Sequence, residues 1–215
     1  MTDKFALVVA NGEVSTEFWL QQVLGSADFV VACDGGANHL HSLGIIPDLF
    51  VGDSDSVSEE SREWLRSNQV KLELSSVEKD ETDLELALLS LVGKGHSRID
   101  VVAALGQRVD HELANLMLLT DSRFDGLDIR VVSESQQIRV VRQSAGFDRI
   151  DGEILSLIPV HGEAIFKSTQ GLKWELNNDS LLPGPARGVS NELVADAATI
   201  ELESGIVLAI QTSSL

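Results

Sequence analysis

Only one cysteine, Cys33, occurs among the 215 residues, which excludes an internal disulfide. It closes an apolar run, Phe29 to Cys33, and reads as a small core residue rather than a reactive thiol. Cations are scarce as well: Lys and Arg number 16 against 34 Asp and Glu, a formal net charge of -18. Nucleic acid and anionic membranes need clustered cations, so neither is an expected partner. Nucleotide binding stays open, because bound Mg²⁺ can supply positive charge locally. No apolar run reaches the roughly 18 residues that suggest a membrane span, and the first residues show no signal-peptide pattern, so a cytoplasmic protein is expected. The histidines, His39, His41, His96, His111 and His161, nowhere pair at zinc-ligand spacing. G-x-S-x-G, Walker A and G-x-G-x-x-G patterns are all missing, which argues against a P-loop kinase and a dinucleotide oxidoreductase. Internal repeats and low-complexity tracts are absent too.

What is present is a regular alternation. Phe5 to Ala10, Phe29 to Cys33, Leu49 to Val51, Ile99 to Leu105 and Ile129 to Val132 are short apolar runs, typical of strands covered on both faces. Val70 to Leu74 alternates apolar with polar residues and reads as a more exposed strand. Helices are expected over Thr16 to Leu24, Ala37 to Leu43, a segment to about Asn68 entered through a Ser56/Glu59 capping box, Leu84 to Val92, and one carrying Leu113, Leu116 and Met117. Strands alternating with helices predict a parallel sheet with right-handed crossovers. The texture changes near Ser133. Beyond it only strand-like segments follow: Ile138 to Val141, Ile154 to Pro159, Ala164 to Lys167, Leu172 to Leu176, Thr199 to Leu202 and Ile206 to Ile210, the last two joined by a hairpin turn at Glu203-Ser204-Gly205. The expected fold is an N-terminal parallel α/β domain, residues 1–134, followed by a smaller antiparallel β-sandwich domain, residues 135–215.

In an open parallel sheet, ligands sit beyond the carboxyl ends of the strands. Asp34-Gly35-Gly36, Gly52 to Asp55, Lys79 to Asp83 and Gly106 to His111 are all such ends. Each has a purely structural use as a turn, a capping box (Thr82 with Glu85) or a helix start. Together on one edge their carboxylates would repel and raise one another's pKa unless a cation relieved them. A divalent metal with hard oxygen ligands is the economical explanation.

These residues resemble the thiamine pyrophosphokinase (thiamine diphosphokinase) family. The resemblance rests on CDGGANHL, PDLFVGDSDS, KDETDLELAL, LGQRVDHELAN, TQGLKWEL and GVSNEL, in family order from Cys33 to Leu193. It implies an α/β domain, a β-sandwich and a homodimer with active sites between subunits. It also implies Mg²⁺-dependent transfer of the terminal diphosphate of ATP to thiamine, giving thiamine diphosphate and AMP. By residue, it implies that Asp53, Asp55 and Asp80 hold Mg²⁺, with Asp83 and Asp110 also in the catalytic set. Asp34, Gly35, Gly36, Asn38, Lys79, Thr82, Gln107, Arg108 and His111 would line the nucleotide, and Trp174, Ser190 and Asn191 the thiamine. A Trp174 face suits the thiazolium cation. Gln107 departs from the family pattern, where a small residue is common. Two other readings stay open from sequence: a diphosphokinase for another alcohol, such as a hydroxymethylpterin, and a non-catalytic thiamine or nucleotide sensor. A glycosyltransferase would leave the second and fourth loops unexplained.

Overall fold

The computed structural model describes residues 4–76, 80–106 and 108–213. The chain divides into two compact units, Met1–Glu134 and Ser135–Leu215.

The first unit runs β1 (Phe5–Val9), α1 (Glu17–Leu24), β2 (Phe29–Cys33), α2 (Gly36–Leu43), β3 (Leu49–Gly52), α3 (Glu59–Ser67), β4 (Lys71–Leu74), α4 (Asp83–Gly93), β5 (Arg98–Val102), α5 (Val109–Leu118) and β6 (Asp128–Val132). Its strands lie in the order β6-β5-β1-β2-β3-β4. Every neighbouring pair among them is parallel. Apolar side chains on both faces explain why β1 is buried throughout. Phe5, Leu7 and Val9 of β1 pack with Val30, Ala32 and Phe50 against Leu20, Leu24, Leu40 and Leu65 from the first three helices. On α4, Leu84, Ala87, Leu88 and Leu91 are buried, and the helix lies against β2 and β3. The edge strand β4 leaves Leu74 67% exposed, in keeping with its alternating sequence. Strand order reverses between β1 and β5, so their carboxyl ends open a crevice where connections leave in opposite directions.

Two local expectations fail. The cap of α3 is Ser58, whose Oγ accepts the Ser61 N–H at 3.1 Å. Ser56 does not cap it, because a turn from Ser54 drives Val57 into the core and delays the helix. Strand β5 stops at Val102 rather than Leu105, since Ala103 takes a left-handed φ of 54° and breaks the ladder.

The second unit comprises β7 (Gln136–Val141), β8 (Ser144–Asp148), β9 (Ile154–Gln170), β10 (Asp179–Leu181), β11 (Asn191–Glu192) and β12 (Ala197–Thr212). All its pairings are antiparallel: β12 with β7, β8 and β9, and β9 with β10 and β11. Phe147, Leu155, Leu157, Phe166, Leu172, Leu193 and Ile200 form its core. The hairpin expected at Glu203-Ser204-Gly205 is not there. The chain continues straight into the rest of β12, with register shifts between Glu201 and Ile206 that bend it. Gly205 sits at φ 93°, and a Cβ on it would come within 2.6 Å of the Ala164 backbone, so a turn-like composition marks a bulge and a close approach. Likewise Ile154 to Pro159 and Ala164 to Lys167 are one strand, bent where His161 and Gly162 adopt φ 60° and 127°. Leu172 to Leu176 forms no strand; Leu172 makes a single bridge to Leu193.

Candidate active site

The carboxyl ends of β1, β2 and β5 open into a cleft of about 600 Å³ lined by Asn11, Gly12, Asp34, Asp83, Arg108 and Asp110 among others. Asp34, Asp53 and Asp83 each bring a carboxylate oxygen to within 4.8 Å of the others. Asp34 follows β2 directly, at φ 47°, its N–H donating to the Val51 carbonyl at 2.9 Å. Asp53 follows β3, and Asp83 opens α4. Thr82 caps that helix through Oγ1, which accepts the Glu85 N–H at 3.2 Å. The reciprocal half of the expected box is absent, since Glu85 Oε1 accepts from Arg123 instead. Ser75 Oγ donates to Asp83 Oδ1 at 3.1 Å.

The electrostatics of this group ask for a cation. Burial raises the Asp34 pKa; hydrogen bonding from Ser56 and the Gly35 backbone opposes this, and the Asp83 and Asp55 charges add to it. Among the described residues, two buried side-chain polar atoms lack a hydrogen-bond partner: Asp34 Oδ1 and Arg62 Nε. An orphaned carboxylate oxygen beside two further carboxylates fits a hard divalent ion such as Mg²⁺. Asp34, Ser54 (68°) and Ala103 (54°) each hold a left-handed φ where the chain leaves β2, β3 and β5, a conformation that the surroundings must enforce in a non-glycine residue.

The other expected site residues fall into distinct places. Asp55 is not in the converging set: its N–H donates to Asp53 Oδ1 at 2.9 Å, while its own Oδ1 accepts from Ser56 Oγ. Asp80 is exposed and also outside it. Asn38 uses both ends of its amide on the following loop, donating to the Ser56 carbonyl and accepting from the Ser58 N–H, each at 3.0 Å. Gly36 admits the chain itself, since a Cβ there would lie 1.9 Å from the Val9 carbonyl oxygen; a Cβ on Gly35 would lie 2.0 Å from the Asn11 amide. Arg108 forks onto Asp110 with contacts of 3.1 and 2.6 Å. That pairing, mainly the hydrogen bond from Arg108, lowers the Asp110 pKa to about 2. His111 is exposed and lines the cleft. Lys79 and Gln107 lie outside the described residues.

The cleft is also lined by residues outside the expected set, Asn11, Gly12, Glu112 and Asn115. Asn11 and Gly12 belong to the loop after β1, which reads as a turn although it ends an apolar strand like the other four loops. Glu112 Oε1 accepts the Gly106 N–H at 2.8 Å, and Asn115 Nδ2 donates to the Ala104 carbonyl at 2.8 Å. These bonds hold the loop after β5 against α5. Nothing in the spacing of Glu112 and Asn115 announces them, since their partners are backbone atoms.

The second unit has its own cavity, about 630 Å³, lined by Trp174, Glu175, Arg187, Val189, Ser190 and Asn191 among others. Trp174 is 55% exposed and so not a core aromatic. Its backbone is clamped by Asn191, which accepts the Trp174 N–H at 3.1 Å and donates to its carbonyl at 2.7 Å. Lys173 Nζ lies 4.7 Å from the Trp174 ring centroid, so the indole face already attracts a cation. Ser190 is exposed at φ 59°, its N–H donating to Ser156 Oγ.

With this geometry in place, comparison with known proteins is specific. Residues 20–131 match the family model described as "Thiamin pyrophosphokinase, catalytic domain", and residues 135–207 match "Thiamin pyrophosphokinase, vitamin B1 binding domain". The chain is 30% identical to the thiamine pyrophosphokinase of Bacillus subtilis (strain 168), covering 85% of this chain and 86% of that one. It is 26% identical to thiamine pyrophosphokinase 1 of Arabidopsis thaliana over 96% of this chain and 86% of that one. Among solved structures, the B. subtilis thiamine pyrophosphokinase superposes with a TM-score of 0.86 at 26% identity, covering 99% of this chain and 100% of that one. The yeast thiamin pyrophosphokinase shares the fold, with a TM-score of 0.83 at 17% identity, over 99% of this chain and 87% of that one.

Proposed function

The chain belongs to the thiamine pyrophosphokinase family, and from that premise we propose how its residues divide the work of a diphosphate transfer. It is a thiamine diphosphokinase: the thiamine hydroxyl attacks the β-phosphorus of ATP, the bond to the α-phosphate oxygen breaks, and thiamine diphosphate and AMP result. Such transfers depend on alignment and charge neutralisation more than on covalent help from the protein.

Asp34, Asp53 and Asp83 would hold Mg²⁺, which when bound offsets the triphosphate charge. Asp55 adds its charge beside Asp34, and Asp80 stands outside the converging set. Arg108 keeps donors beyond the two directed at Asp110, and these are available to phosphate oxygens. Asp110 thereby fixes the guanidinium at the mouth of the cleft. Asn11, Gly12 and His111 line the path of the nucleotide. Asn38 shapes the loop that carries Asp53, and Thr82 sets the start of α4. In the second unit, Trp174 is the platform for the thiazolium ring, with Asn191 fixing its backbone and Ser190 offering a hydroxyl. The homodimer implied by the family resemblance is part of the same proposal, as is a cytoplasmic location.

One observation carries this reading: carboxylates from the ends of β2 and β3 and from the first residue of α4 converge, and one oxygen of Asp34 among them is buried with no hydrogen-bond partner. The test is an assay with ATP, MgCl₂ and thiamine, following AMP and thiamine diphosphate by chromatography. Asp53→Asn should lower turnover by on the order of a hundredfold without lowering thermal stability measured in EDTA. Unchanged output from that variant would remove the metal role.

A further inference from the structure

Arg62 stands outside the cleft, on the second turn of α3, yet it grips the loop that delivers Asp53. One Nη donates to the Ser54 carbonyl at 2.8 Å. The other contacts Glu59 at 3.2 Å. The Nε is buried without a partner. Ser54 lies between Asp53 and Asp55 at φ 68°, a conformation that a non-glycine residue holds only when its surroundings enforce it. The same carbonyl also accepts the Val57 N–H at 3.3 Å, so the peptide after Ser54 is aimed from two directions. That orientation sets the Asx turn in which Asp53 Oδ1 accepts the Asp55 N–H. The two orphaned buried polar atoms of the described residues, Arg62 Nε and Asp34 Oδ1, therefore flank a single loop.

We infer that Arg62 is a positioning residue for the acidic set: by holding the Ser54 carbonyl it fixes where Asp53 points, and so sets the affinity for the divalent ion. This rests on the reading of Asp34, Asp53 and Asp83 as metal ligands. Hydrogen-bond partners that orient a ligand from behind typically change metal affinity by roughly 10–100-fold when removed. An arginine suits the task because its planar fork spans two acceptors at once, whereas a lysine ammonium on a flexible stem reaches one of them with less definition.

The test titrates MnCl₂ alone into the full chain, reading free Mn²⁺ by electron paramagnetic resonance, for wild type, Asp53→Asn, Arg62→Met and Arg62→Lys. Methionine keeps the apolar stem and removes the donors. Melting in EDTA is measured in parallel. The expected result is that Arg62→Met weakens Mn²⁺ binding by about tenfold, that Arg62→Lys recovers most of the loss, and that melting in EDTA moves little. Arg62→Met binding within about twofold of wild type, while Asp53→Asn loses the ion, overturns the positioning role and leaves the metal reading standing. A wild type that binds no Mn²⁺, or Asp53→Asn binding it unchanged, overturns the metal reading and this inference with it. Should Arg62→Met fail to fold, Arg62→Leu takes its place: about tenfold weaker binding supports the role, and binding within about twofold of wild type overturns it.

Discussion

Asp34 is the residue at which structure and charge are most at odds. Its pKa is raised in the folded chain, first by burial, with Asp83 and Asp55 adding repulsion. A carboxyl raised on folding contributes its stability below its unfolded pKa and loses it as pH climbs through the folded one. Asp34→Asn should therefore melt at a higher temperature than wild type in EDTA at pH 7. The gain should be under about 1 kcal/mol, since part of Asp34 remains in solvent. The difference should shrink with falling pH and vanish below about pH 4, where both side chains are neutral. Melting curves from pH 3 to 8 in EDTA check this, and a stabilising effect that persists at the acid end would point to packing instead. At this scale the sequence named the acidic residues but not their grouping. Asp53 and Asp55 look like a pair because they are two residues apart. The left-handed Ser54 between them turns one carboxylate toward Asp34 and Asp83 and leaves the other on Ser56. No spacing rule carries that information, because it is fixed by the backbone of a single residue.

Among the elements, α4 links core to site most directly. Four buried apolar side chains seat it on the sheet, while Thr82 caps the end that presents Asp83. Removing the cap with Thr82→Ala should cost about 1 kcal/mol in urea unfolding. It should also lower turnover, because the first turn that aims Asp83 frays. Thr82→Ser keeps an oxygen acceptor and should restore both; a Ser variant as impaired as Ala would mean that the methyl group, not the cap, matters. Helices and buried strands of the first unit were legible because apolar runs and caps are local signals. Phe29 to Cys33 matches β2 residue for residue. The second unit was legible only in kind. Its long strands β9 and β12 change direction at His161-Gly162 and at Gly205, and composition alone cannot tell a bend that continues a strand from a turn that ends one.

The whole molecule carries a formal net charge of -18, far from balanced by its 16 Lys and Arg. Self-repulsion on that scale destabilises a compact state, and salt screens it over a Debye length of roughly 10 Å at 0.1 M. Raising NaCl from about 50 to about 500 mM in EDTA should therefore raise the melting temperature. A gain of roughly 1 kcal/mol corresponds to about 2–4 °C for a chain of this size. MgCl₂ at matched ionic strength should add a further increment by mass action, because an ion that binds only the folded chain stabilises it by RT ln(1 + c/Kd), where c is the free ion concentration. The two contributions separate in Asp53→Asn: the NaCl response should persist, since one charge in an excess of 18 changes the overall field little, while the extra MgCl₂ increment should disappear. If Asp53→Asn kept the full increment, the ion would be acting on the diffuse acidic surface rather than at the convergence of β2, β3 and α4. Diffuse screening and a single coordinating centre thus predict different melting curves from the same pair of salts.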